Sequence, residues 1–244
     1  MIKRGVSMLD IKNFSKEYSK GQKAVDNISL NVNGGEIFGF IGHNGAGKTT
    51  TIKAIVGILD FNDGDILVNG KSIKNDTIEC KKIMAYIPDN PDLYEALTGI
   101  QYLSFIADIY KVGKAQREKL IKYYGDKLEL TKYLGDLISS YSHGMKQKLA
   151  VISALIHKPK LLILDEPFVG LDPKAAHTLK EIMREICNEG SSIFFSTHVL
   201  EVAEKLCDKI AIIKGGKIVA EGTMEEVKGN SSLEDVFMEL IDNE

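Results

Sequence analysis

The sequence has no apolar run approaching the roughly 18 residues that a bilayer-spanning helix needs. Its richest stretches, Leu161-Leu162-Ile163-Leu164 and Ile210 to Ile213, are the length of strands. Met1-Ile2-Lys3-Arg4-Gly5 is basic, but no apolar signal core follows it. The chain is therefore expected in the cytosol, with any membrane role reached through a partner. Its three cysteines, Cys80, Cys187 and Cys207, show no C-x-x-C spacing and read as reduced, buried thiols. A formal net charge of -3 gives no basic excess of the kind that nucleic acid attracts. Internal repeats and low-complexity tracts are lacking too.

What is present is ordinary globular material. Of 244 residues, 44% are hydrophobic and 27% charged. That length allows one large α/β domain or two small ones, with enough chain to bury a core unaided. Short apolar runs bounded by Gly, Asn or Asp predict strands at Met8–Phe14, Ile28–Val32, Glu36–Ile41, Ile66–Val68, Met84–Ile87, Leu161–Leu164, Ser192–Ser196 and Ile210–Ile213. A hairpin turns at Gly215-Gly216. From Thr98 to about His157 the periodicity is helical instead. Thr98-Gly99-Ile100-Gln101 forms a capping box, and Leu103, Ile106, Ile109 and Tyr110 follow at helical spacing. A second helix is predicted at Lys114 to Leu128 and a third from Ser142. The pattern is a mostly parallel sheet flanked by helices, with antiparallel strands near the N-terminus and an inserted helical segment.

Gly42-His43-Asn44-Gly45-Ala46-Gly47-Lys48-Thr49 fits G-x-x-x-x-G-K-[ST]. It lies between the predicted strand Glu36–Ile41 and a predicted helix Thr49–Leu59, the context the motif requires. The glycines let the backbone curl so that N–H groups face phosphate oxygens, and the helix N-terminus adds partial positive charge. Lys48 would reach the β- and γ-phosphates, and the Thr49 hydroxyl would ligate Mg²⁺. Without a ligand the same residues are a Gly-rich strand-to-helix turn. Leu161-Leu162-Ile163-Leu164-Asp165-Glu166-Pro167 is a strand buried on both faces that ends in two acids. The carboxyl end of such a strand is where open α/β sheets keep ligands. Asp165 can hold Mg²⁺ there, and Glu166, pointing elsewhere, can polarise a water aimed at the γ-phosphate. On its own the pair would be a solvated strand end. Beside a phosphate loop it supplies the metal ligand that the loop needs.

These residues suit any P-loop NTPase. Tyr141-Ser142-His143-Gly144-Met145-Lys146-Gln147 narrows the field: it resembles the ABC signature motif in the form S-x-G-M-x-Q, upstream of the acid strand as in that family. Ser142 and Gly144 open a helix whose free N–H groups suit a phosphate. Three more segments fit the resemblance. Tyr18 corresponds to the aromatic that stacks on adenine, Gly170-Leu171-Asp172-Pro173 to the D-loop, and His198 to the switch histidine at the γ-phosphate. The resemblance runs from about Met8 to Asp242.

What it implies can be stated residue by residue. The fold is α/β, a P-loop NTPase core with an N-terminal antiparallel β subdomain and an inserted α-helical subdomain. The ATP-binding domain spans 8–230, with the helical insert at about 90–157, and a C-terminal helix at 231–244 packs on the core. ATP contacts come from Tyr18, Gly42, Asn44, Gly45, Ala46, Gly47, Lys48, Thr49 and Thr50. Ser142, Gly144, Met145 and Asp172 add to them, Ser142 and Gly144 by meeting the γ-phosphate held in the opposite subunit. Thr49, Asp89 and Asp165 hold Mg²⁺, and Glu166, His198 and Lys48 are catalytic. One position departs: the family usually carries Gln where Met84-Ala85-Tyr86-Ile87-Pro88-Asp89 places Asp89. Aspartate is a shorter, charged acceptor with no donor. His43, often Pro in relatives, is expected to face away from the site.

The function implied is an Mg-dependent ATPase subunit that powers a transmembrane permease. Two nucleotide-binding subunits, identical or not, would close head to tail on ATP. The signature variant, Asp89, Leu93 to Thr98 and the ending Ser232 to Leu240 resemble ATPases of ABC-2-type exporters. The simpler reading of that ending is an apolar helix face, Leu233, Val236, Phe237 and Leu240, packed on the core. Two rivals stand beside transport: an ABC ATPase that serves a scaffold rather than a transporter, and a P-loop kinase or GTPase. The second leaves the signature motif and His198 unexplained.

Overall fold

The structure is a computed structural model describing residues 7–19, 21–61 and 63–242. Met1–Gly5 and the last two residues of the expected C-terminal helix, Asn243 and Glu244, lie outside that range. The chain begins with β1 (Ser7–Ser19) and β2 (Gln22–Asn33), a long antiparallel hairpin. Then come β3 (Ile37–Ile41), α1 (Lys48–Ile55), β4 (Asp63–Val68), β5 (Lys71–Ser72), α2 (Thr77–Ile83) and β6 (Met84–Ile87). Three helices follow: α3 (Gly99–Ile109), α4 (Lys114–Lys127) and α5 (His143–Leu155). The alternation resumes with β7 (Leu161–Asp165), α6 (Pro173–Asn188), β8 (Ser192–Thr197) and α7 (Leu200–Leu206). It ends with β9 (Lys209–Lys214), β10 (Lys217–Thr223), α8 (Met224–Lys228) and α9 (Leu233–Asp242).

The strands form two sheets, an antiparallel one ordered β2-β1-β4-β5 and a larger one ordered β10-β9-β3-β8-β7-β6. In the larger sheet only the β9–β10 pair is antiparallel. Every residue of β3, β7 and β8 is buried, which is why these strands read as nearly unbroken apolar runs. Their side chains alternate between two cores. Phe38, Phe40, Leu161, Ile163 and Phe194 face the antiparallel sheet and α1. Ile37, Ile41, Leu162, Leu164 and Phe195 join the core shared with the helices.

Three predicted boundaries need correction. β1 continues to Ser19 and β2 starts at Gln22, well past the expected Met8–Phe14 and Ile28–Val32. The outer half of this hairpin carries Lys16, Glu17 and Lys23 and breaks register repeatedly, so no apolar signal marks it. α1 stops at Ile55 rather than Leu59, because Gly57 turns the chain with φ of 65° and leaves Ile58 exposed. The Thr98–Gln101 capping box opens α3 as expected. Both residues of the Gly215-Gly216 turn have positive φ, 53° and 79°, as a type I′ hairpin demands.

Candidate functional site

Sheet order decides which side chains meet. β6, β7, β8 and β3 are neighbours, and Ile87 pairs with Leu164, Asp165 with Ser196, and Ile41 with Thr197. Their carboxyl ends therefore finish level with one another, and the loops beyond them surround one hollow of about 310 Å³. Ala24, His43, Asn44, Gly45, Gly47, Lys48, Thr49, Thr50, Asp89, Asp165 and Glu166 line it. Ala24, on β2, carries no sequence signal. It is there because the antiparallel sheet packs against the loop: a Cβ on Gly47 (φ 112°) would lie 2.7 Å from the Ala24 carbonyl oxygen. Gly42 is equally confined, its Cβ position being 2.5 Å from the Ile213 carbonyl oxygen.

α1 begins at Lys48 with no side-chain cap from Gly47, so its first N–H groups face the hollow. Lys48 is buried, and its Nζ donates to the carbonyls of Gly42 (2.6 Å) and His43 (3.2 Å). The same ammonium stands 3.3 Å from Glu166 Oε1, a charge contact without hydrogen-bond geometry. Glu166 Oε2 lies 3.0 Å from His198 Nδ1 and accepts from the His198 N–H at 3.4 Å. Glu166 reaches both groups because its φ is 47°, a left-handed conformation rare for a residue with a side chain. Its N–H is held by the Ser196 hydroxyl (3.1 Å) and carbonyl (3.3 Å). Such local strain is characteristic of functional positions.

Asp165 differs from its neighbour. Its Oδ1 accepts from the Ser196 hydroxyl, whereas Oδ2 is buried with no partner. Burial pushes its carboxyl above the usual range, against the pull of the Ser196 and Thr49 hydroxyls and with help from the Asp89 and Glu166 charges. An orphaned buried oxygen beside a hydroxyl and a second carboxylate suits a hard cation. Among the described residues no group of three or more His, Cys, Asp or Glu could hold a metal alone. Thr49, Asp165 and Asp89 instead fit Mg²⁺, which keeps waters and takes remaining oxygens from phosphates.

The other expected contact residues lie elsewhere. Tyr18 is exposed at the rim, its hydroxyl 3.4 Å from Thr50 Oγ1. Ala46 sits behind the loop, its carbonyl accepting from Gly216 N–H at 3.0 Å. Ser142, Gly144, Met145 and Asp172 do not line the hollow. Ser142 caps α5, accepting from Met145 N–H at 3.3 Å, and Gly144 packs against Gly170, whose oxygen is 3.2 Å from the Gly144 Cβ position. Asp172 caps α6 through Ala175 N–H (2.9 Å) and lies 3.7 Å from Lys148. The Ala175 N–H, and secondarily Lys148, hold its carboxyl below the usual range. The His43 ring packs on Phe237.

The family model for ABC transporters matches residues 25–169, more than half of the chain, from β2 to just past Glu166. The chain belongs to the ABC transporter family. This ABC protein is 36% identical over 240 residues to the ABC-type transporter ATP-binding protein EcsA of Bacillus subtilis, covering 96% of the chain and 97% of EcsA. It is 36% identical over 220 residues to the linearmycin resistance ATP-binding protein LnrL of the same species, covering 90% of the chain and 70% of LnrL. A solved ATP-binding subunit of an ABC transporter superposes with a TM-score of 0.92 at 35% identity, over 96% of this chain and 100% of that one. The structure of cbiO1 from Clostridium perfringens, part of the ABC transporter complex cbiONQ, matches at 0.78 and 27% identity, over 91% and 90%. The ABC subunit is thus an ATP-binding protein of transport, and its family implies ATPase activity. Among the described residues no helix is long and apolar enough to cross a membrane.

Proposed function

We propose that this ABC subunit binds ATP in the hollow at the sheet's carboxyl edge and hydrolyses it with a second subunit closed head to tail against it. The observation that carries this reading is a separation. Lys48, Asp165 and Glu166 converge on one hollow, with His198 on Glu166, while Ser142 and Gly144 open a helix outside it. A signature helix that cannot serve its own phosphate loop can serve another subunit's. The adenine would lie on Tyr18, and the phosphates on Lys48 and the N–H groups from Gly45 to Thr50. Mg²⁺, held by Thr49, Asp165 and Asp89, would neutralise charge on the β- and γ-phosphate oxygens. Glu166 would orient and deprotonate the attacking water, and His198 would contact the γ-phosphate. ATP favours closure because both subunits touch it; ADP lacks the phosphate that the partner's Ser142 and Gly144 would bind.

Closure would move a separate transmembrane permease, placing the subunit at the inner face of the cell membrane. Export is the direction we favour, since the signature variant and the Ser232–Leu240 ending resemble ABC-2-type ATPases and a relative is named for linearmycin resistance. The shared site is tested by mixing two inactive variants, Lys48→Ala and Ser142→Arg. A mixed dimer regains one intact site, so ATPase activity should return on mixing. Mixed dimers that form and stay inactive would refute the head-to-tail arrangement. Copurification with a multi-span membrane protein separates transport from a scaffold role.

A further inference from the structure

The outer side of the phosphate loop leans on α9. His43, second residue of the loop, uses its carbonyl within the cradle, accepting from Ala46 N–H at 3.1 Å and from Lys48 Nζ at 3.2 Å. Its ring turns outward onto Phe237 of α9, the ring centroids 5.0 Å apart and the planes at 56°. Phe237 is 5% exposed, and Leu233, one turn earlier, is fully buried in the same core. A second connection runs alongside. Lys214 Nζ, at the end of β9, donates to the Leu240 carbonyl of α9 at 3.3 Å. Two residues on, Gly216 N–H donates to the Ala46 carbonyl of the loop at 3.0 Å. α9 and the loop are thus bridged twice, through the aromatic pair and through the β9–β10 turn.

We propose that α9 is a brace for the phosphate loop, with His43 and Phe237 as the positioning residues through which nucleotide binding and α9 docking reinforce each other. The proposal rests on the reading that this loop holds ATP. α9 spans ten residues, too few to persist as an isolated helix in water. Its docked state therefore depends on Leu233, Phe237 and Leu240 meeting the core, and the Phe237 end of that contact is made partly by the loop. A loop already held in shape loses less conformational freedom when it gathers phosphate oxygens. By linkage, whatever favours docked α9 favours nucleotide by the same factor, and nucleotide favours docked α9 equally. A force applied to α9 by another protein would reach the ATP site without touching it.

The test uses the full-length chain, Mg-free ATP as the probe, and two measurements: equilibrium affinity, and amide hydrogen exchange in α9. His43→Ala removes an exposed ring and leaves the core whole; Phe237→Ala is compared at equal melting margin because it also opens a gap. Each should weaken ATP by about 2- to 10-fold, the scale of one aromatic contact. The double variant should be no weaker than the weaker single one, and His43→Phe should restore affinity. ATP should slow α9 exchange in the parent chain, and His43→Ala at saturating ATP should lose that slowing. Fully additive losses, or α9 protection that survives His43→Ala, overturn the brace. Unchanged affinity in Lys48→Ala would instead overturn the reading of the site on which it rests.

Discussion

Lys48 and Glu166 meet in the wall of the hollow, Nζ 3.3 Å from Oε1, both largely buried. The ammonium proposed to meet a phosphate also contacts a carboxylate and two loop carbonyls. On the proposed reading, a phosphate taken by Lys48 would displace Glu166 and leave its carboxylate available to water, so that one lysine would link binding to activation of the proposed base. Lys48→Ala should weaken ATP binding strongly and leave the chain monomeric with any nucleotide. An ATP titration followed by sizing checks both outcomes.

Ser142 separates binding from turnover. Ser142→Arg should leave ATP affinity nearly unchanged, since the residue does not line the hollow, and should abolish hydrolysis at the opposite site it faces by keeping the contact to that γ-phosphate from forming. It also removes the α5 cap, at a cost of about 1 kcal/mol. Ser142→Asn keeps a capping acceptor with little bulk and serves as the control for that cost. Affinity and turnover that fall together would place Ser142 in its own subunit's site.

Asp89 tests the departure from the usual Gln. It lines the same hollow as Asp165, whose carboxyl its charge helps to raise. Asp89→Gln should raise the Mg²⁺ concentration for half-maximal ATPase several-fold, because an amide binds a hard cation less strongly than a carboxylate. Asp89→Ala should in addition slow turnover. Identical metal titrations in both variants would put Asp89 outside the metal's reach.

Much of this site was legible because its parts are short and local. The Gly42–Thr49 loop, the apolar run into Asp165 and the Gly215-Gly216 turn each announce themselves within ten residues. The strand order that brings Asp89 beside Asp165 was not legible, since parallel neighbours share no local signal. Neither was Ala24, whose place depends on how two sheets pack. Glu166 was expected to point away from Asp165, but its left-handed backbone could not be read from a sequence that offers no Gly or Asn there. α2 was missed because Thr77–Ile83 is seven residues of mixed polarity with only Cys80 buried. The His43–Phe237 contact spans almost the whole chain and carries no pattern at all.

His157 sets an acid limit on stability. It stacks on Tyr110 with ring centroids 3.6 Å apart, its Nε2 lies 3.2 Å from the Met84 carbonyl, and its Nδ1 is buried without a partner. Burial pushes its pKa from 6.5 down to about 4, although the bond to Met84 works the other way. Between those values the unfolded chain takes up a proton that the folded chain refuses. This contribution is therefore complete above pH 6.5 and is lost as pH falls toward 4, on the order of 2–3 kcal/mol in all. His157→Gln retains a donor for Met84 and does not titrate. Denaturant unfolding at pH 7 and pH 5 should show a smaller drop in the variant than in the parent; equal drops would count against this assignment.

Glu166→Gln distinguishes the base from the binding groups most sharply. The amide is nearly the shape of the carboxylate, so the left-handed turn held by Ser196 should persist. It cannot accept the proton of an attacking water, and hydrolysis should fall by roughly 10²–10⁴-fold, the usual worth of one acid–base group. Binding should move the other way. Removing the charge frees Lys48 from its resting partner and ends the repulsion between Glu166 and a γ-phosphate. ATP should therefore bind at least as tightly as in the parent chain, and a closed dimer should accumulate because its exit reaction is blocked. A sizing column run with Mg-free ATP should show a dimer, and with ADP a monomer. A normal hydrolysis rate would mean that the acid pair is misassigned. Loss of activity with no ATP-driven dimer would leave Glu166 as the base and make closure depend on the permease.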